Sequence, residues 1–352
     1  MTDFLSVNNI DSLIISDPYN MRYISGFSGG EGYVYVSERF KVIITDSRYT
    51  EAAAKEAKDG FEIMQSTINK SSIDIIKDLI EADNAKIVGF EDLFLTCNEY
   101  GRIVSRCGLR NMKPLGEAVN DLRIIKTEEE LEKLRIAESI GDRAFTEILN
   151  FIRPGITELQ IAAELEYSMK KNGAEGLSFD TIAASGKNSS LPHAVPTNKI
   201  IETGDFVTMD FGCTYDGYCS DMTRTIVVGH ADDKQHDIYE TVLKAQLEAM
   251  KVIRAGVVGA DVHKVAADVI ANAGYGEYFG HGLGHSVGLY IHENPRFSLS
   301  EKRKIMANTI ETVEPGIYIP DFGGVRIEDM IVVKEDGFEN LTYSPKELIE
   351  II

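Results

Sequence analysis

The stretch MDFGCTYDGYCSDMTRT, residues 209–225, decides how the second half of this chain folds. It consists of two segments of alternating character on either side of Asp216-Gly217. That dipeptide between such segments predicts a β-hairpin with a two-residue turn. The turn would pair Tyr215 with Tyr218. Because turn type sets the register, each residue of the first strand then has a defined partner in the second.

This register places two aspartates on one face of the hairpin. Asp210 falls opposite Thr223, and Gly212 falls opposite Asp221. Side chains alternate along a strand, so Asp210 and Asp221 become diagonal neighbours within roughly 7 Å. We expect Gly212 to leave space for ions beside Asp221. Such an arrangement suits two metal ions about 3.5–4 Å apart.

Three further candidate ligands follow: His285 in HGLGH, Glu314 in ETVEPGIY and Glu328 in GVRIED. Four carboxylates balance the charge of two divalent cations and would repel one another without them. Oxygen ligands with one imidazole favour Mn²⁺, and Co²⁺ or Zn²⁺ also fit. A single acidic residue in a hairpin is usually only solvated, so the prediction depends on the whole set. The set predicts a two-metal hydrolase that activates water and polarises a scissile carbonyl.

The composition narrows the class of protein. The 352 residues suffice for two domains with full cores. A formal charge of −20 argues against nucleic-acid binding, and no apolar run approaches the roughly 20 residues that span a bilayer. The start lacks signal-peptide features, which predicts a cytoplasmic location. The four cysteines do not resemble a disulfide framework, and the hairpin register puts Cys213 and Cys219 on opposite faces.

The first part of the chain alternates strands and helices, as an α/β domain does. Strands are predicted at SLIIS, YVYVS and FKVIITD, and helices at TEAAAKEA and SSIDIIKDLIEA. Further along, Thr127 and Glu130 form a capping box that begins a helix. The domain boundary therefore lies between about 120 and 127, which gives domains of residues 1–122 and 123–352.

A weak repeat divides the second domain. Residues 149–176 resemble residues 250–276 at an offset of 101, and a β-rich stretch with two of the carboxylates follows each copy. A duplicated α+β unit would place the metal site between its halves. The alternative is a chance similarity of two amphipathic helices that end at glycine.

Four of the seven histidines lie in motif-like contexts. His193 stands in SLPHAVPTNK, and the others stand in FGHGLGHSVGLYIHENP, which contains His281, His285 and His292. Glycines at alternate positions disfavour a helix there, so we expect an extended or looped segment. The remaining three are interpreted as surface residues: His230, His236 and His263.

Taken together, these motifs resemble the pita-bread (M24) family of proline-specific metallopeptidases, which includes aminopeptidase P and prolidase (Xaa-Pro dipeptidase). The similar segments are NMRYISGF, ITDSRYTEAA, LRIIKTEEELEKLRIA, LPHAVPTN, MDFGCTYDGYCSDMTRT, GHGLGHSVGLYIHENP, EPGIYIP and GVRIEDM, in the family's order. The resemblance implies an α+β pita-bread catalytic domain that follows a creatinase-like α/β domain.

The resemblance also implies how the five ligands divide between two metal ions. Asp210 would bind one ion, and His285 with Glu314 would bind the other. Asp221 and Glu328 would bridge the two ions. Glu314 would also accept the proton of the nucleophilic water.

Further residues match positions that act on substrate. His193 and His292 correspond to histidines that bind substrate and stabilise the tetrahedral intermediate. His281 corresponds to a histidine of the substrate pocket. Tyr318 and Arg326 correspond to positions beside the metals, and we group them with the substrate-binding residues.

The implied reaction is hydrolysis of the bond between an amino-terminal residue and proline in short peptides. A bond before proline has no N–H, so a dedicated site must accept it. The alternatives are a metal-independent creatinase-like enzyme, a methionine aminopeptidase and a non-catalytic binding protein. The complete ligand set disfavours the first and last, and the first domain disfavours the second.

Substrate length is open at this point. Arg296, in HENPRFS, would hold the free carboxylate of an Xaa-Pro dipeptide, or it is a plain surface arginine. A homodimer is expected, in which the amino-terminal domain limits substrate length. Nucleic acid and membrane are not expected as partners.

Overall fold

The computed structural model describes residues 1–352. The chain divides into two compact units, Met1–Arg123 and Ile124–Ile352. No helix in either unit has the length and apolar character that a membrane span requires.

The first unit is built on one six-stranded mixed sheet, with strand order β4-β3-β2-β1-β5-β6. Its strands are β1 (Ser12–Ile15), β2 (Tyr33–Ser37), β3 (Lys41–Thr45), β4 (Glu62–Gln65), β5 (Val88–Phe90) and β6 (Lys113–Pro114). Its helices are α1 (Thr2–Val7), α2 (Pro18–Ser25), α3 (Thr50–Glu56), α4 (Ser72–Asp83) and α5 (Cys97–Cys107). The predicted strands and helices of this part are confirmed.

Alternation along the central strands gives this sheet two apolar faces. Ile14 and Val42 belong to one buried cluster, whereas Leu13 and Ile43 belong to the other. Because successive side chains point to opposite faces, continuous apolar runs such as SLII bury both faces of the sheet.

The second unit contains four long helices and the remaining strands. The helices are α6 (Glu128–Ile148), α7 (Glu158–Lys171), α8 (Asp233–Met250) and α9 (Gly259–Asn272). The strands are β7 (Gly176–Leu177), β8 (Ile182–Ser185), β9 (Phe206–Phe211), β10 (Cys213–Tyr215), β11 (Tyr218–Cys219), β12 (Met222–Val228), β13 (Gly284–Ser286), β14 (Glu293–Phe297), β15 (Ile310–Val313), β16 (Gly316–Ile319), β17 (Gly323–Arg326), β18 (Asp329–Lys334), β19 (Gly337–Asn340) and β20 (Glu350–Ile351). The predicted capping box of Thr127 and Glu130 begins α6.

The duplicated unit is confirmed in this part of the chain. Helices α7 and α9 both have 14 residues and begin 101 positions apart. Each half has its own core: α6 and α7 pack on β9 and β12, and α8 and α9 pack beside β15 to β18. Both halves turn at glycines with left-handed backbone, Gly155 (φ 94°) in the first and Gly256 (φ 89°) in the second.

The hairpin has the predicted register. Tyr215 pairs with Tyr218, and Asp210 pairs with Thr223. The turn residues Asp216 and Gly217 have φ values of 44° and 75°, the left-handed pair that a type I′ turn requires. All four cysteines are free, as expected.

The expected reason for Gly212 is wrong. A Cβ atom at this position would lie 1.9 Å from the carbonyl oxygen of Ser220, which is main chain of the partner strand. The glycine therefore permits close approach of two backbones rather than leaving space for ions.

Replacement of Gly212 by alanine should destabilise the protein by about 1–3 kcal/mol, because two main-chain segments must move apart. Chemical denaturation measures this change. Gly337→Ala is the matched control, since a Cβ atom there meets nothing within 4 Å. Equal stability of the two variants would contradict the explanation.

Candidate metal centre

Three carboxylates from the two halves meet at one place. Asp210 lies near the end of β9, Asp221 precedes β12, and Glu328 connects β17 to β18. Their nearest oxygen atoms all lie within 4.8 Å of one another. Thr223, which faces the same way in the hairpin, donates a hydrogen bond from Oγ1 to Glu328 Oε2 at 2.7 Å. The hairpin and the second half thus contribute to a single cluster.

His285 and Glu314 complete the predicted set of five. His285 lies on β13, and Glu314 directly follows β15. The Nε2 atom of His285 is 3.5 Å from Asp221 Oδ2 and 3.5 Å from Glu314 Oε1. The structure therefore brings together all five residues that the sequence singled out.

Hydrogen bonds orient the imidazole and Glu314. His285 Nδ1 lies 3.1 Å from the carbonyl oxygen of Ser286, so Nδ1 donates and Nε2 presents a lone pair to the carboxylates. Thr312 Oγ1 accepts from His285 N at 3.0 Å and donates to Glu314 Oε1 at 3.2 Å. One threonine thus contacts both the main chain of His285 and the side chain of Glu314.

Burial and like charge dominate the electrostatics of the cluster. Burial, reinforced by the neighbouring carboxylates, raises the pKa of Asp221 and Glu328 well above the usual range. Burial also raises the pKa of Glu314 to about 8, against the attraction of Arg326. Burial lowers the pKa of His285 to about 3, so its ring is neutral and able to bind a cation. None of the five candidate ligands therefore carries a positive charge.

The donor set fits divalent cations. Asp210 Oδ1 and Glu328 Oε1 are buried and have no hydrogen-bond partner, which is costly unless a cation occupies the site. The available atoms are hard carboxylate oxygens and one imidazole nitrogen, which suit Mn²⁺, Co²⁺ or Zn²⁺. The single guanidinium that pairs with the cluster is Arg326, whose Nη2 lies 2.6 Å from Asp210 Oδ2.

Arg326 links the cluster to two other predicted residues. Its Nη1 donates to Tyr318 Oη at 2.7 Å, and Tyr318 Oη lies 3.1 Å from His281 Nε2. Burial lowers the pKa of His281 to about 4, so the ring is neutral at physiological pH. This chain of contacts extends from Asp210 to the far side of the cavity.

One cavity of about 650 Å³ contains the predicted site. Of the predicted site residues, the ones that line it are His193, Asp210, Asp221, His281, His285, His292, Arg296, Glu314, Arg326 and Glu328. Tyr318 is not in the lining and contacts it through Arg326. Phe179, Val195, Tyr290 and Ile291 add apolar surface. The cavity therefore combines a group of candidate metal ligands with apolar side chains, as small-molecule sites do.

Sequence reasoning missed several residues that support the site. The hairpin register could have identified Thr223, because it lies two residues after Asp221 and therefore on the same face of the hairpin. It could not have identified Glu138, which accepts a hydrogen bond from Asp221 N at 3.3 Å and from Thr342 Oγ1 at 2.5 Å, across long sequence separations.

The interpretation of His263 as a surface residue is wrong. His263 is buried on α9, and its Nδ1 accepts from Leu283 N at 3.1 Å. Its ring stacks on Phe279 with centroids 5.5 Å apart. His263, Ala266 and Ile270 share the apolar stripe of α9, so the helical spacing could have revealed its burial. His230 and His236 are exposed as expected.

The metal-free protein should lose stability as pH rises from about 7 to 8.5. This window lies above the ordinary histidine pKa of about 6.5, so histidine titration contributes little to the change. Glu314 keeps its proton in the folded state up to about 8, whereas it ionises near 4.5 when unfolded. The folded state thus binds more protons, and the free energy of unfolding falls with pH. Denaturation of chelator-treated protein measures the slope.

Glu314→Gln should reduce this slope, and Glu138, whose pKa burial raises to about 8, should account for part of the remainder. Stability that increases with pH in this window would show that the sign is wrong.

The comparisons with known proteins agree with this geometry. Residues 132–335 match metallopeptidase family M24, and residues 1–125 match the creatinase/prolidase N-terminal domain. A Xaa-Pro dipeptidase of Pyrococcus furiosus is 39% identical over 99% of this chain and 98% of its own length.

Two solved structures extend the comparison. A Xaa-Pro dipeptidase from Bacillus anthracis is 44% identical, with a TM-score of 0.96 over 99% of this chain and 97% of that one. An X-Pro aminopeptidase from Thermotoga maritima is 39% identical, with a TM-score of 0.92 over 99% and 100%. The predicted fold is confirmed: this chain belongs to metallopeptidase family M24 and carries a creatinase/prolidase amino-terminal domain.

Proposed function

We propose that this enzyme hydrolyses the bond between an amino-terminal residue and proline in short peptides. The observation that carries the proposal is the cavity in which five metal-ligand candidates, three further histidines and two arginines converge. The names of the relatives, which act on Xaa-Pro substrates, support it. We take residues 1–122 and 123–352 as the two functional domains, in line with the division at Arg123.

The metal site would consist of Asp210, Asp221, His285, Glu314 and Glu328, with Mn²⁺ as the preferred ion. When bound there, two divalent cations supply Lewis acidity that lowers the pKa of water and polarises a carbonyl. The division of ligands follows the family pattern. Asp210 would hold one ion, His285 and Glu314 the other, and Asp221 and Glu328 both.

The protein's own groups would handle the protons and orient the substrate. Glu314 would take the proton of the attacking water, since its carboxylate lies beside His285 within the cluster of candidate ligands. Burial lowers the pKa of His292, so its neutral ring can donate one N–H to the developing oxyanion. His193 would act on the same carbonyl from the opposite loop. His281, Tyr318 and Arg326 would orient the substrate.

The proposed preference for Xaa-Pro dipeptides depends on Arg296. This exposed arginine lines the cavity close enough to His285 and His292 to lower the pKa of both. A guanidinium there would bind the free carboxylate of an Xaa-Pro dipeptide. We therefore propose that dipeptides are preferred over longer peptides. The homodimer, the limit that the amino-terminal domain sets on substrate length and the cytoplasmic location stay predictions from the sequence.

Hydrolysis of Ala-Pro should exceed hydrolysis of Ala-Ala by a large factor when Mn²⁺ is supplied, and chelation should abolish it. Asp221→Ala should lose metal by elemental analysis and lose nearly all activity, whereas the exposed control Glu335→Ala should keep both. Comparable rates on Ala-Pro and Ala-Ala would refute the specificity. Full activity of Asp221→Ala would refute the metal site.

Arg296→Ala should raise KM for Ala-Pro much more than for Ala-Pro-Ala. Only the dipeptide loses a charge-assisted contact at its proline carboxylate, which is worth roughly 1.5–3 kcal/mol. Steady-state kinetics on both peptides measure the difference. Lys302→Ala removes a nearby positive charge that does not line the cavity and serves as the control. An equal effect of Arg296→Ala on both peptides would exclude the proposed contact.

A further inference from the structure

The loop that carries His193 follows β8 and forms the first part of the connection to β9. It spans residues 186–199 and contains a short 3-10 segment, Gly186–Ser190. His193 is exposed and lines the cavity. No hydrogen bond holds its ring. The position of the ring therefore depends on the backbone of the loop.

One buried carboxylate ties the two ends of this loop together. Glu158 is the first residue of α7 and is 1% exposed. Its Oε1 accepts hydrogen bonds from Ser185 N at 2.7 Å and Ser185 Oγ at 2.9 Å. Its Oε2 accepts from Thr197 N at 3.0 Å and Thr197 Oγ1 at 2.6 Å. Asn188 Nδ2 donates to both oxygens, at 3.1 and 3.2 Å.

These contacts suit a carboxylate rather than an amide. Every partner of Glu158 is a donor, and hydrogen bonds to a charged acceptor are stronger than neutral ones. The amino end of α7 also favours a negative charge. Two main-chain bonds reinforce the attachment: Leu159 N donates to Thr197 O at 3.1 Å, and Glu158 N donates to Lys199 O at 3.2 Å. An amide in place of the carboxylate would point its own N–H groups at donors.

The middle of the loop rests on β17. Gly324 N donates to Ser189 Oγ at 2.8 Å, and a Cβ atom on Gly324 would lie 2.2 Å from Ser189 O. Arg326 Nη1 donates to Pro192 O at 3.3 Å, one residue before His193. The loop therefore meets the same arginine that pairs with Asp210. Any shift of its ends would move His193 relative to the metal site.

We propose that Glu158 is a positioning residue for the reaction: it sets the place of His193 by holding both ends of the loop, without touching the substrate. This inference rests on the proposed role of His193. It adds a requirement at the amino end of α7, where Glu158 does not line the cavity.

Glu158→Gln keeps the shape of the side chain and removes its charge. At unchanged metal content, kcat/KM for Ala-Pro should fall by about 10-fold to 100-fold, because a misplacement of about 1 Å can cost on the order of 10²-fold. The matched control is Gln160→Ala at the same helix end. It removes the capping contact to Thr157 N, at 2.9 Å, and leaves the loop contacts of Glu158 intact. Its activity should stay within about twofold of wild type.

A double-mutant cycle separates positioning from general destabilisation. In the His193→Ala background, Glu158→Gln should lower activity by no more than about twofold, since the residue through which it acts is gone. Thr197→Val removes one donor to Glu158 and should show the same dependence on His193 at a smaller amplitude. This variant provides the test if Glu158→Gln does not fold.

The outcomes are distinct. Equal losses from Glu158→Gln in the wild-type and His193→Ala backgrounds would overturn the inference and leave the role of His193 intact. Wild-type activity of Glu158→Gln, or an equal loss in Gln160→Ala, would also overturn it. Full activity of His193→Ala would overturn both this inference and the proposed role of His193, while hydrolysis of Ala-Pro by the wild type would still support the proposed reaction.

Discussion

The repulsion among four clustered carboxylates, of which Asp221 and Glu328 are buried, is the constraint on which the site depends. Asp210, Asp221, Glu314 and Glu328 crowd into one cluster, and Arg326 is its single paired guanidinium. Burial raises the pKa of three of them, and two oxygen atoms have no partner. Removing charges from water is expensive unless each is compensated. The negative charge of the site is therefore balanced only when cations bind, and the neutral His285 ring is able to act as one of their ligands.

The fold meets this constraint by duplication. Each half presents two carboxylates on a pair of strands, backed by its own helices and its own apolar core. Rigid packing on both sides prevents the like charges from moving apart, because a close-packed core resists displacement. Thr223 and Thr312 then donate to the carboxylates, and Glu138 accepts from the Asp221 backbone. The candidate ligands are thus held in place before a cation binds, so binding of the cation does not have to order them.

The part of the cavity that His193 lines is organised differently. His193 lies in an irregular loop, and irregular segments are held by side chains rather than by ladders of main-chain bonds. Glu158 supplies that attachment at the loop ends, and Arg326 and Gly324 supply it in the middle. Arg326 therefore contacts both Asp210 of the candidate ligand cluster and the main chain of Pro192, the residue before His193. Through these two contacts it links the cluster to the placement of His193.

The sequence by itself determined the local structure and singled out the candidate ligands. Asp216-Gly217 specified the hairpin and its register, because this dipeptide favours the type I′ turn, in which both central residues have positive φ. Alternation along the strands then placed Asp210 and Asp221 on one face. The 101-residue repeat specified two similar halves. Only the tertiary structure decided why Gly212 is needed and that Glu138 and Glu158 support the site. These features depend on contacts between residues far apart in sequence, such as Gly212 against the partner backbone and Glu158 against both ends of a loop. Periodicity and motif spacing carry no record of such contacts, since many packings are compatible with the same local pattern.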